Sequence, residues 1–186
     1  MRSIHIKASR EYDVLVERGL LDRAGEYLSK VSAPGMAAVV SDETVFALYG
    51  ERTVRALEKA GYRVHSFIFP AGEESKNLST YASALHFLGE RRFSRSDVVV
   101  ALGGGVVGDL AGFAAATYQR GMGFAQIPTT LLAAVDSSVG GKTAVDLPTG
   151  KNQAGSFYQP CIVLCDPDTL ETLPEEQYRC GCAEII

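Results

Sequence analysis

One junction constrains this chain more than any other. An almost wholly apolar run, Asp97–Leu102 (DVVVAL), leads straight into Gly103-Gly104-Gly105-Val106-Val107-Gly108-Asp109. A strand this apolar is the kind buried on both faces, inside a parallel sheet. The glycines behind it satisfy Gly-x-Gly-x-x-Gly at Gly103, Gly105 and Gly108, and helical spacing follows. Glycine lets a backbone turn tightly and approach a ligand closely, and the first turn of the next helix offers unbonded N–H groups to an anion. The same glycines would also serve helix–sheet packing alone.

The flanking segments alternate. Ser3–Ala8 and Tyr12–Glu17 read as a strand pair, and Leu20–Val31 as a helix broken by Ala33-Pro34-Gly35. Met36–Ser41 is a buried strand. Asp42 stands where an N-cap belongs, before helical spacing over Thr44–Ala60 that Gly61 ends. Tyr62–Phe69 is the next strand, closed by Pro70, and a helix runs from about Ser75 to Arg92. This alternation predicts an α/β fold: an open, mostly parallel sheet flanked by helices, Rossmann-like. Ligands of such sheets bind beyond the carboxyl ends of the strands. Asp42, Gly72 and Gly103 all fall just past such ends. From Pro160 the pattern changes to a short strand, Ile162–Cys165, then helical spacing over Glu175–Ile186. We therefore expect an α/β domain over 1–160 and the beginning of a second, helical domain over 161–186. A chain stopping inside a helix is what a cut through a larger protein gives.

Composition narrows the ligand. Formal net charge is −4, without a dense block of Lys and Arg, which argues against a nucleic-acid or anionic-membrane surface. An anionic ligand then depends on a few cations, backbone N–H groups and helix N-termini. No long apolar run reads as a membrane span, and the N-terminus has no apolar core of a signal peptide. Cys161, Cys165, Cys180 and Cys182 match no common zinc or redox spacing and read as reduced thiols of a cytoplasmic protein. His5, His65 and His86 are scattered and form no metal cluster.

Several further residues are placed to meet such an anion. Gly141-Lys142-Thr143 and Gly150-Lys151-Asn152 tempt a phosphate-binding P-loop reading, but its first glycine would fall at Asp136 in one case and Val145 in the other. What remains is two lysines on glycine-flexed turns. Thr129 and Thr130 stand at a helix start, with Asp136 two turns on. Arg120 stands at a helix end, where it suits either a phosphate or the helix dipole. No acid follows the glycine motif by about twenty residues to hold a ribose; Asp42, from another strand, is the better candidate.

Together these pieces form a specific pattern. GGGVVGDLAGFAAATYQRG, IPTTLLAAVDSSVGGKTAVD, GKNQAGSFYQP and TLETLPEEQYRCGCAEII, in this order and spacing, closely resemble the 3-dehydroquinate synthase family, as does the earlier PAGEESK. The resemblance implies an NAD-dependent, metal-dependent, phosphate-eliminating cyclase acting on 3-deoxy-D-arabino-heptulosonate 7-phosphate, with zinc or another divalent metal. It further implies that Asp42, Gly72, Glu73 and Lys76 serve the NAD ribose side. Gly104, Gly105, Val106, Gly108 and Asp109 resemble the pyrophosphate turn, and Thr129 and Thr130 further cofactor contacts. Asp136, Lys142, Lys151 and Asn152 resemble the lining of nicotinamide and substrate, with Lys142 and Lys151 also counted as cofactor contacts. Thr169, Leu170 and Thr172 resemble a last cofactor turn. Arg120 resembles a substrate-phosphate contact reached across a homodimer, and Glu184 a first metal ligand whose companions would lie beyond Ile186. On this reading the 186 residues alone are inactive. The alternatives are a related sugar-phosphate cyclase, a polyol dehydrogenase of similar architecture, or a nucleotide-binding module without catalysis.

Overall fold

A computed structural model describes residues 1–185. Two antiparallel strands open the chain, β1 (Arg2–Ile6) and β2 (Tyr12–Val16). The helix expected over Leu20–Val31 is shorter, a 3-10 turn Leu21–Arg23 followed by α1 (Ala24–Leu28). It packs hard against the helix that carries Ala56: a Cβ on Gly25 would lie 2.2 Å from the Ala56 carbonyl oxygen. β3 (Met36–Asp42) follows, and the Asp42 carboxylate accepts the Val45 N–H at 2.9 Å, starting α2 (Glu43–Val45). A π-helical turn, Phe46–Gly50, joins it to α3 (Glu51–Lys59). After β4 (Arg63–Phe69) comes a 3-10 turn, Glu73–Ser75. α4 (Leu78–Glu90) therefore starts later than Ser75, because the Asn77 side chain caps it by accepting the Thr80 N–H at 3.0 Å.

The glycine-rich junction folds as expected. Every residue of β5 (Val98–Gly103) is buried, and α5 (Gly105–Thr117) returns across the sheet. β6 (Gly123–Pro128) follows in parallel. Next comes an element that the alternation did not predict, a hairpin of β7 (Lys142–Leu147) and β8 (Gly150–Phe157). Lys142 and Lys151 therefore stand on strands rather than loops. Gly155 permits the pairing, since a Cβ there would lie 2.1 Å from the Thr143 carbonyl oxygen. Gly112 seats the hairpin on α5, where a Cβ would lie 2.4 Å from the Thr143 methyl.

β9 (Ile162–Cys165) corrects the expected division at residue 160. It lies inside the main sheet, whose order is β1-β2-β9-β6-β5-β3-β4, with parallel pairing everywhere except between β1 and β2. The reason is its burial on both faces, which a strand at the start of a separate helical unit would not need. A 3-10 turn, Pro167–Thr172, leads to α6 (Glu175–Ala183). The helix expected to reach Ile186 ends at Ala183, and the N–H groups of Glu184 and Ile185 close its last turn by donating to the carbonyls of Gly181 and Cys182 at 3.3 and 3.1 Å; Ile186 lies outside the described residues. The result is a Rossmann-like, mostly parallel sheet with a core on each face. One face holds Leu28, Leu57 and Leu102, and the other Leu88, Leu110 and Phe124.

Candidate functional site

Two adjoining spaces open where the strands end. The first is a cleft of about 400 Å³ between the ends of β3, β4, β5 and β6. Asp42, Gly72, Glu73, Gly104, Gly105 and Val106 line it, with Thr130 opposite. Gly72 has φ +118°, and a Cβ there would lie 2.7 Å from the Glu74 carboxylate, so the turn belongs to glycine. At Gly105 a Cβ would already be 3.2 Å from Ser137 Oγ. Gly104 caps α5 without any side-chain hydrogen bond, which leaves the first-turn N–H groups directed at the cleft unclaimed by protein side chains. Gly108 has a different reason: it is buried, and a Cβ would lie 2.7 Å from Gln126 Oε1.

The threonines after β6 divide the work. Thr130 Oγ1 accepts the Ala133 N–H at 3.1 Å and so caps the turn that carries Asp136. Thr129 is 3% exposed, and its hydroxyl has no hydrogen-bond partner. A buried unpaired hydroxyl is uncommon and calls for a ligand or water.

The second space, about 540 Å³, lies between α5 and the hairpin. Asp109, Asp136, Lys142 and Asn152 line it, together with Ser137 and the 81%-exposed Phe157. Lys142 is exposed and makes no ion pair among the described residues. Lys76 sits behind the wall, 5% exposed, with Nζ 2.5 Å from Asp109 Oδ2 and 2.6 Å from Asn152 Oδ1. Burial pushes the Asp109 carboxyl above its ordinary range, and the Lys76 ammonium pulls it back. At the surface Lys151 pairs with Glu73 at 3.0 Å, tying the hairpin to the cleft rim.

Other sequence candidates lie apart from both spaces. Thr169, Leu170 and Thr172 occupy the turn after β9 and line neither. The Tyr49 hydroxyl donates to the Thr169 carbonyl at 3.1 Å and also bonds the Thr172 hydroxyl. Arg120 is exposed just beyond the far end of α5. Thirteen helical residues span about 20 Å, so it stands on the opposite edge of the sheet from the cleft. Glu184 is exposed after α6, and among the described residues no group of three His, Cys, Asp or Glu is placed to hold a metal. The four cysteines are free, and burial pushes the Cys165 thiol up to about 12.

Sequence reading missed Thr44, Gln177 and Cys180 in the cleft, and Ser137, Gln153 and Phe157 in the cavity. Gln177 and Cys180 reach the cleft because α6 rests on residues 131–132: a Cβ on Gly181 would lie 2.6 Å from Leu131 Cβ. No local pattern encodes that contact. Ser137 had a signal, its place beside Asp136.

Known proteins share this arrangement. A family model described as 3-dehydroquinate synthase N-terminal matches residues 66–180. A 3-dehydroquinate synthase from Caulobacter vibrioides is 54% identical over 178 residues, covering 95% of this chain and 48% of the relative. A solved 2-deoxy-scyllo-inosose synthase, complexed with carbaglucose-6-phosphate, NAD+ and Co2+, superposes with a TM-score of 0.92 at 31% identity. That match covers 99% of this chain and 50% of the other. A 2-epi-5-epi-valiolone synthase from Streptomyces hygroscopicus subsp. jinggangensis, with NAD+ and Zn2+ bound, gives 0.86 at 33% identity, covering 100% and 51%. The chain spans about half the length of the curated relatives it matches.

Proposed function

The chain belongs to the 3-dehydroquinate synthase family, and from that footing we propose that it is the NAD-binding part of an enzyme converting 3-deoxy-D-arabino-heptulosonate 7-phosphate to 3-dehydroquinate and phosphate. The observation that carries the reading is the cleft itself: a glycine cradle at an uncapped helix N-terminus, beside a cavity holding one unpaired lysine and two aspartates. An extended dinucleotide fits that pairing. Its pyrophosphate meets the α5 N–H groups, its ribose hydroxyls the Asp42 and Glu73 carboxylates, and its nicotinamide end the space beside Asp109.

When bound, NAD supplies a hydride acceptor for one substrate hydroxyl, which acidifies the neighbouring C–H and permits loss of phosphate. The chain's own residues do the rest of the work we assign here. Lys142 offers its free ammonium to an anionic substrate group. Asp136 and Asp109 accept from substrate or ribose hydroxyls, and Asn152 adds a hydrogen bond. Arg120 faces away from this cavity, and we assign it to the phosphate site of a second copy in a homodimer. The α6 segment then begins a second, helical domain.

Glu184 supplies one oxygen ligand, whereas catalytic zinc sites use about three protein ligands. The described residues do not by themselves fit a metal. The 186 residues alone should bind NAD without turnover. No helix among the described residues is long and apolar enough to cross a membrane; we place the enzyme in the cytoplasm on the strength of its free thiols.

A related sugar-phosphate cyclase is the second reading, supported by the high TM-scores to two such enzymes. Identity of 54% to a 3-dehydroquinate synthase against 31% and 33% to those cyclases favours the first. Two measurements test it. Calorimetry should show NAD binding to the chain, and no binding would overturn the cofactor assignment. Exchanging these residues for the matching half of the Caulobacter enzyme should give a hybrid that releases phosphate from the heptulosonate phosphate. A folded, NAD-binding hybrid without that activity would overturn the substrate assignment.

A further inference from the structure

Lys76 lines neither space, yet its ammonium touches two groups that line the cavity. Asp109 Oδ2 and Asn152 Oδ1 both lie within 2.6 Å of Nζ. An ammonium has hydrogens to donate and no lone pair, so its neighbours turn oxygen toward it. For a carboxylate this decides nothing. For an amide it decides everything, because either end of Asn152 could otherwise face the ligand. With Oδ1 held by Lys76, the NH2 end is left for the cavity.

The backbone removes most of the remaining freedom. Asn152 has φ +56°, a left-handed conformation that a non-glycine residue adopts at some cost. Its N–H donates to Asp146 Oδ1 at 2.7 Å, and the Asp146 N–H donates to the Lys76 carbonyl at 2.8 Å. Lys76 thus grips the Asn152 turn with both its backbone and its side chain. The two anchors are far apart in sequence but close in space.

We infer that Lys76 is a positioning residue that fixes the polarity of the cavity wall, holding Asn152 as a donor beside Asp109 as an acceptor. A donor and an acceptor side by side match adjacent hydroxyls of a polyhydroxylated ligand, each of which both donates and accepts. The identity of that ligand rests on the function proposed above; the polarity is a property of the chain without ligand. The family resemblance places Lys76 against the cofactor ribose, whereas here it acts through Asp109 and Asn152.

The test begins without ligand, on the 15N-labelled 186-residue chain. The Asn152 side-chain amide should give two sharp, separate proton signals. Lys76→Met should broaden and shift them while backbone signals far from the cavity stay in place, and Lys76→Arg should restore them. If Lys76→Met does not fold, the paired variant Lys76→Met/Asp109→Leu removes both charges together and should show the same loss. An Asn152 amide that ignores Lys76→Met, or the paired variant, overturns the inference whatever NAD does. Calorimetry with NAD then separates the two claims: an amide that responds as described in a chain that binds no NAD overturns the cofactor assignment and supports the positioning role.

Discussion

The cleft and the cavity lie within one helical turn of each other, Gly105 lining the first and Asp109 the second, yet they are built on opposite terms. The cleft works by what is missing. Glycines keep Cβ atoms away, and an uncapped helix end keeps N–H groups unclaimed. The cavity works by what is present: the buried Lys76 ammonium behind its wall holds the Asp109 carboxylate and the Asn152 amide, the latter across 76 residues of sequence, and Asp146 holds the Asn152 N–H. A site of the first kind tolerates polar change around it but no added bulk. A site of the second kind tolerates shape change poorly, and loss of one charge worse.

Four changes probe that contrast. Gly105→Val should abolish NAD binding in calorimetry while leaving the circular dichroism spectrum near wild type; undiminished affinity would place the dinucleotide elsewhere. Lys76→Met strands a half-buried carboxylate and should cost up to roughly 3–5 kcal/mol in urea unfolding, whereas a loss below about 1 kcal/mol would mean that the pair behaves as a surface one. Asp42→Ala should cost about 1 kcal/mol through the lost cap and raise NADP affinity relative to NAD, because a carboxylate facing ribose repels a 2′-phosphate. An unchanged cofactor ratio would leave Asp42 a cap and nothing more.

The smallest effect is a slope against pH. Burial raises the Asp109 carboxyl above its ordinary 3.8, so the folded chain holds that proton more tightly than the unfolded chain. Its contribution to stability is fully present below 3.8 and is lost as pH rises through the higher folded value. Lys76→Met/Asp109→Leu should unfold without that decline, and persistence of the full slope would trace it to another group.

The same contrast explains what the sequence revealed. β5 and the glycine turn are written in neighbouring residues, so the fold class and most of the cleft were legible in a single pass. Asp42 could be seen as a cap because capping needs only its own side chain and the N–H of Val45. The hairpin was hidden because Gly141 and Gly150, both at positive φ, read as loop residues; its strands become visible only once Gly112 and Gly155 are known to allow close approach. Lys76 was visible as a cation, but not as one turned inward, since Asn152 lies 76 residues away. Lys142 could be seen as a cation on a glycine-flexed turn, the role of Asn152 came from the family resemblance, and their shared cavity from the fold.

The position of β9 carries a consequence for how the molecule is made. Among the described residues the N-terminal hairpin joins the sheet through β9 alone, and the Gly19 N–H meets its Asp166 acceptor across 147 residues of chain. During synthesis β1 and β2 therefore leave the ribosome long before their partner exists, while β3, β4, β5 and β6 already have one another. Closing so long a loop is slow, and the apolar residues on both faces of β2, Val14 on one and Leu15 on the other, stay uncovered for that interval. Nascent chains should thus expose a sticky hairpin until residue 165 has emerged, a window in which a chaperone, or another copy of the same chain, competes for it.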